Sequence, residues 1–432
     1  MKPTLSLPMA IFININVILG SGLFINTVLL SQFAGAFGAL SYTIVGILLL
    51  PLVLGMASLV KENPEGGFYS FAKHDLSPFF GFISTWSYFT AKLASATLGI
   101  HVANALIQSI IPFFQRHSII TMDVFVIILF VLLNLMNMRR GTKIQLAFIM
   151  LKCIPLIFAI LSGFFLFSFD NFSMVHQIPQ GIPSTIPLIL YAFIGFEVTT
   201  SISRSIHNPE KNAPKAVLYS YLIAISIATL FQLIFYGNLG TTLIMQSSYL
   251  GAYPALLAKL FTNPETITLL KGFLHLAIAS SALGSSYGIM FSNSWNLYTL
   301  AQNEHTFFSD LFTTLNHNHI AYAAVLAEGC LTLIYLFYTQ GAQLSLQQVG
   351  AIGSAIAFTI SALALFANRL QKKAPLAELL LPILAIISCS MLVGACFRNF
   401  FLYGISSLIL YAIVWLGGCS MYFITKHLKA QA

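Results

Sequence analysis

The sequence predicts an all-α polytopic membrane protein of twelve transmembrane helices, the first and sixth of them discontinuous. Three observations carry this. Of 432 residues 58% are hydrophobic and only 7% charged, with a mean hydropathy of +0.86. A soluble domain carries roughly a quarter charged residues, so this chain has too few to cover a water-facing surface. The apolar residues also fall into runs of about 20, the length a helix needs to cross a bilayer. Finally, two of those runs carry glycine-rich interruptions at their centres.

Breaks at charged and Pro/Gly-rich stretches give the spans 7–31, 35–60, 79–111, 122–138, 144–167, 184–203, 214–240, 271–300, 321–340, 346–368, 376–397 and 400–424. The third and eighth exceed a perpendicular crossing and are expected to tilt or protrude. No segment alternates like the strands of an outer-membrane barrel. The opening run, Leu7 to Leu30, is too long for the apolar region of a signal peptide and contains three asparagines. Despite "AGA" at 34–36 it reads as a retained first span.

Charge then sets the orientation. With the N-terminus inside, fourteen of the twenty Lys and Arg residues fall in inside loops and termini and four outside, while Lys92 and Lys152 lie within spans. This bias places both termini in the cytoplasm, across a bacterial-type inner membrane, and requires an even number of spans. It also accounts for the net charge of +8 without a nucleic-acid partner. The longest stretches between spans, 168–183, 241–270 and 301–320, leave no room for a soluble module, and no GxxxxGK[ST] phosphate loop occurs. Cys153, Cys330, Cys389, Cys396 and Cys419 sit in apolar runs without a CxxC pair and read as small buried hydrophobes. His305, His317 and His319 lack acidic or cysteine companions at ligand spacing, so they read as a solvated loop and no metal is expected. Nor is there a Ser–His–Asp grouping in a loop. An enzyme is therefore not expected, and no cofactor is implied.

The interruptions carry the functional signal. "NVILGSGLF" at 16–24 places Gly20, Ser21 and Gly22 mid-span. Alone, such small residues read as close helix packing. But "AFIGFE" at 192–197 places Gly195 mid-span and Glu197 just after it. An acid at membrane depth costs several kcal/mol unless it faces protein, water or a partner. Five spans separate the two breaks, so the broken helices cross in opposite directions, as in inverted repeats broken at the midplane. The repeats would be 7–167 and 184–368 within a single transmembrane domain, with 376–424 adding two helices. Half-helices expose N–H groups at one end and C=O groups at the other, which suit the carboxylate and the amine of an amino acid.

Two lysines stand out. Lys152 lies nine residues after Lys143, about 13 Å along a helix and near mid-membrane. There it can carry a proton, or act as a fixed strut for helix carbonyls. Lys92, in "YFTAKLASATLG", stands beside the small residues Ala91, Ser95 and Gly99. It can line a pocket for an anionic substrate side chain, pair with Glu197 or Glu328, or snorkel. Glu328 itself reads as a structural pairing in the ninth span.

At these motifs the chain resembles the amino acid–polyamine–organocation superfamily of permeases, whose members have the LeuT-type fold with a 5+5 inverted repeat. "ILGSGLF" at 18–24, "NPEGGFYSFAK" at 63–73, "AFIGFE" at 192–197 with "NPEKNAPKA" at 208–216, and "LYTLAQNEHTF" at 297–307 carry the likeness in order. The departures are Trp295, where the family commonly has arginine, and Asn303 and Glu304, where it ends this helix in an acid and a glycine. They touch a loop concerned with gating.

The resemblance implies roles. Gly20, Ser21 and Gly22 would bind the substrate carboxylate. Carbonyls around Ile18 and Leu19, with those near Tyr191, Ala192 and Phe193, would hold the amine. Tyr191 would lie over the substrate, and Gly195 would sit in the unwound stretch. Glu197 would link helices during the cycle. Lys152 falls where sodium-coupled members bind sodium, which implies an ammonium in place of the ion and a proton as the coupling ion. The function implied is secondary active transport of amino acids or related amines by alternating access, as a proton symporter. An exchanger is the alternative, and a substrate sensor a more remote one. Side-chain specificity would come from helices 3, 8 and 10, where spans alone place no residue. Oligomeric state is not specified.

Overall fold

The computed structural model describes residues 5–63, 67–136, 141–173, 181–199, 203 and 206–431, with the backbone alone at 141–149 and 429–431. Residues 64–66 of the Pro-x-Gly-Gly motif, 137–138 of the fourth expected span and 200–202 of the sixth lie outside them.

The first span is a pair of helices, α1 (Leu7–Ile18) and α2 (Ser21–Ala34). Then follow α3 (Gly38–Glu62), the short α4 (Phe68–Asp75), α5 (Pro78–Gln108), α6 (Ile119–Asn134) and α7 (Gly141–Leu166). α8 (Ile182–Phe193) is the first half of the sixth span, and the helix resumes at Val198–Thr199. The rest are α9 (Pro209–Leu239), the short α10 (Ala252–Leu260), α11 (Pro264–Gln302), α12 (Tyr322–Thr339), α13 (Gln343–Gln371), α14 (Leu376–Tyr403) and α15 (Ile405–Gln431). Each of the twelve expected spans has its helix, and the protein is an integral membrane protein. Among the described residues seven helical stretches are long and apolar enough to cross a bilayer by themselves, counting Ser21–Glu62 as one. α1, α6 and α8 are shorter than 18 residues, and α5 carries inward-facing polar residues. Among the described residues there is no strand, only isolated bridges at Leu5–Ile206 and Leu315–Ala321.

Local chemistry fixes the ends. Ser77 caps α5 by accepting from the Phe80 N–H, and Asn263 caps α11 by accepting from Glu265, each just ahead of a proline suited to the first helical turn. α11 thus starts seven residues before the expected 271–300 span and runs 39 residues, about 58 Å. That length exceeds a perpendicular crossing, as the sequence of the eighth span leads one to expect. α4 and α10 were not expected, because both lie in stretches read as loop.

α5 is buried along nearly its whole length and packs against α11 and α13. A helix buried all round must be small where neighbours approach. A Cβ on Gly353 of α13 would stand 2.6 Å from the Ser87 carbonyl, so only glycine permits that crossing. Large hydrophobes such as Phe164, Leu376 and Ile413 point outward. Cys389 and Cys396 are buried as expected, but Cys330 is exposed, since it faces away from the bundle on α12.

One ion-pair cluster joins α3 to α13. Glu62 accepts from Arg369 and, at 2.6 Å, from Lys372, while Arg369 also donates to Ser58 at 2.9 Å. Burial alone would push the Glu62 carboxyl up, but the hydrogen bonds and charges of Lys372 and Arg369 outweigh it and hold it below its ordinary range. A lowered folded-state value means stability present above the unfolded value of about 4.5 and lost as pH falls. Glu62→Gln should therefore lower the melting temperature at pH 7 by a shift worth about 1 kcal/mol or less, the cluster being partly exposed. The gap to wild type should be smaller at pH 4 and should close fully only below the lowered folded-state value. A gap of equal size at both pH values would refute the linkage.

Candidate substrate site

The chain leaves α1 at Leu19, whose N–H still donates to the Ile15 carbonyl at 2.8 Å. Gly20 is extended (φ −75°, ψ −159°), and α2 begins at Ser21 with no side chain capping it. The first N–H groups of α2 and the last carbonyls of α1 are thus left for other partners. In the sixth span α8 ends at Phe193, Ile194 is extended, and Gly195 takes φ +143°. Only glycine adopts that region without strain. A Cβ there would stand 2.9 Å from the Ile18 nitrogen and 3.0 Å from the Val17 carbonyl carbon. The two breaks are therefore stacked backbone on backbone.

They enclose a cavity of about 40 Å³. A water needs roughly 10–15 Å³, so this form holds a few waters, and its walls must part for anything larger. The first span contributes Val17, Ile18, Gly20, Ser21 and Gly22; the sixth contributes Tyr191, Ala192 and Ile194. Lys92 and Ser95 of α5 and Ser285 and Ile289 of α11 complete it. Gly22 serves twice. It lines the cavity, and a Cβ on it would lie 3.1 Å from the Ala192 Cα, so it also permits the α2–α8 contact. Tyr191 lies against Gly22 on one side and Gly350 of α13 on the other, with Ser95 and Ser21 interacting with its hydroxyl.

Behind the cavity stands a buried charge cluster. Glu197, 1% exposed, accepts from the Gly195 N–H at 2.7 Å, the Tyr88 hydroxyl at 2.6 Å and Lys92 Nζ at 3.2 Å. Lys92 also lies 4.9 Å over the Tyr88 ring. Of the partners open to Lys92 in the sequence, the fold selects Glu197, while Glu328 instead faces Asn293 and Ser294 of α11. Lys152 Nζ donates to the Asn16 carbonyl at 2.5 Å and the Asn16 side-chain oxygen at 2.7 Å, at the end of α1.

Residues 5–421 match the family described as amino acid permease. The chain belongs to that family. Among curated relatives, the permease is 24% identical over 302 residues to the aromatic amino acid transport protein AroP of Escherichia coli K12, and 25% identical over 305 residues to AroP of Escherichia coli O157:H7. Each match takes in 66% of this chain and 63% of the relative, so the chain spans under two thirds of their length. Among solved structures, a manganese transporter of Eremococcus coleocola superposes with a TM-score of 0.60 at 13% identity, over 96% of this chain and 93% of the other. That likeness is one of fold. The relatives are named as transport proteins.

Not every residue expected at the site lines the cavity. Ile18, Gly20, Ser21, Gly22, Tyr191, Ala192 and Lys92 do. Leu19 and Phe193 do not: Phe193 packs against Tyr42 and Tyr221, at ring separations of 5.6 and 5.7 Å. Gly195, Glu197 and Lys152 support the breaks from outside its wall. His317 and His319 are exposed, but His305, expected in a solvated loop, is held 2.7 Å from the Tyr69 hydroxyl. At the two departures after α11, Asn303 accepts from Lys73 at 2.9 Å and Glu304 takes a left-handed φ of +61°.

The permease also uses residues that pattern-reading passed over. Asn14 Nδ2, with two N–H donors, lies within hydrogen-bonding distance of the Phe196 carbonyl and the Thr199 and Ser220 hydroxyls, which fastens α1 to the second half of the sixth span and to α9. Asn26 donates to the Leu188 carbonyl at 2.9 Å and accepts from Gln347 at 2.7 Å, which fastens α2 to α8 and α13. The signal was present, since an amide within an apolar run must find a partner inside the protein.

Proposed function

We propose that this permease is a secondary active transporter that carries amino acids across a bacterial-type inner membrane, both termini cytoplasmic, by alternating access coupled to protons. The observation that carries the reading is the pair of broken helices around one cavity. The uncapped start of α2 at Ser21 and Gly22 suits a carboxylate, and the carbonyl ends near Ile18 and near Tyr191–Ala192 suit an ammonium group. Both ends of a zwitterion find complementary dipoles within one small space. The repeats 7–167 and 184–368 would rock about that site, with α14 and α15 outside the moving parts. Lys152, bonded to the end of α1, is the coupling residue.

The test is purified protein in proteoliposomes, preceded by a thermal-shift panel of the twenty amino acids. The relatives' name makes the aromatic ones the first to try. A ligand at a hundredfold excess over its Kd adds about 2.7 kcal/mol of stability. At least one amino acid should raise the melting temperature and be taken up faster with an inward proton gradient. Uptake indifferent to the gradient but strongly stimulated by internal amino acid would favour exchange. A folded protein stabilised by none of the twenty would end the proposal.

A further inference from the structure

We infer that Lys92 sets the charge class of the substrate: by occupying Glu197 it makes the site refuse amino acids and amines with a cationic side chain. The inference rests on the amino acid site proposed above and names the side-chain class that site accepts.

Lys92 is the single charged side chain among the described residues lining the cavity. Its ammonium is 3.2 Å from a carboxylate that is itself 1% exposed and stands two residues beyond Gly195. A buried carboxylate next to an amine-binding cavity attracts any second cation, because burial leaves water unable to compensate its charge. A side-chain ammonium or guanidinium would be such a cation. Here the chain supplies that cation itself, from α5. The Lys92–Glu197 pair sums to zero and presents its positive member to the cavity.

Three substrate classes then fare differently. A neutral side chain meets a neutral pair and suffers no penalty. A cationic one meets an ammonium whose carboxylate is already engaged, a repulsive element built against it. An acidic one gains Lys92 but brings its charge toward Glu197, so the pair offers it little net attraction. Tyr88 holds the arrangement, since its hydroxyl donates to the same Glu197 oxygen at 2.6 Å and its ring lies under the ammonium.

The experiment measures binding by purified full-length protein of leucine, phenylalanine and glutamine against lysine, arginine and putrescine. Wild type should bind at least one neutral amino acid and none of the cations at comparable affinity. Lys92→Met takes the ammonium from beside Glu197 and from the cavity wall, so the affinity ratio of arginine or lysine to the neutral ligand should rise about tenfold or more. The double variant Lys92→Met/Glu197→Gln should lose that gain. Lys92→Arg, which keeps the cation, should keep the wild-type preference.

Wild type binding cations as well as neutral amino acids overturns the inference, and that arm stands even if the methionine variant fails to fold. So does a folded Lys92→Met protein that still refuses cations. If wild type binds no amino acid of either class, the transport reading fails and takes this one with it. Neutral binding with an unchanged cation ratio defeats the Lys92 inference alone.

Discussion

Gly195→Ala is expected to abolish both substrate binding and uptake while leaving a protein that still inserts. At φ +143° an alanine is strained whatever room it has, at a cost on the order of 1–3 kcal/mol. It has no room. Its Cβ would stand 2.9 Å from the Ile18 nitrogen and 3.0 Å from the Val17 carbonyl carbon, and 2.8 Å from a Val17 methyl. A side chain can rotate away, but main-chain atoms of the opposite break move only if the break moves. The cavity lies between those breaks, so the substitution acts on the site and not on the outer bundle. Gly22→Ala should do less: its Cβ contacts begin at 3.1 Å, which a shift of a few tenths of an ångström relieves. Gly417→Ala, with nothing within 4 Å of the new atom, is the control and should behave as wild type. Size-exclusion profiles, ligand-induced thermal shifts and proteoliposome uptake on the three variants decide the matter. Wild-type uptake by Gly195→Ala would show that the breaks need not stay stacked.

Much of this arrangement was legible in the sequence because membrane helices advertise themselves. Runs of about 20 apolar residues have few alternatives, and glycine at mid-span beside a serine or a glutamate is hard to place in lipid otherwise. What depends on helix rotation was not legible. α5 is buried almost all round, so no polar face marks Ser95 as a cavity residue or Ser87 as the contact for Gly353. The same problem left Lys92 with two candidate acids, because which one it meets depends on how α5 turns against the sixth span. Phe193 is a further case. Its carbonyl is the group expected to face an amine, while the direction of its ring, packed on Tyr42 and Tyr221, follows from helix rotation of about 100° per residue and is not marked in the motif. Glu304 takes a left-handed φ of +61° just after α11, a conformation that glycine adopts most readily, so the residue type alone does not mark the turn.

Lys152→Met is expected to remove the proton-gradient dependence of uptake, and the argument turns on what Lys152 touches. Its ammonium bonds both the main-chain carbonyl and the side-chain oxygen of Asn16, two residues before α1 ends. Hydrogen bonds from a charged donor are roughly twice as strong as neutral ones. A protonated Lys152 therefore pins the end of α1, and a neutral one holds it less firmly. Since α1 forms one wall of the cavity, protonation and the position of that wall become a single equilibrium, which is what coupling requires. A permanently charged strut would make the same bonds without the switch. Stability does not separate the two, because losing a buried charged hydrogen bond costs about 1.5–3 kcal/mol under either reading. The ratio of uptake with an inward proton gradient to uptake without one does separate them. If Lys152 carries the proton, the methionine variant should bring that ratio to about one while a thermal shift with substrate persists. If it is a strut, uptake falls but the surviving fraction keeps the wild-type ratio, and the coupling ion must bind elsewhere.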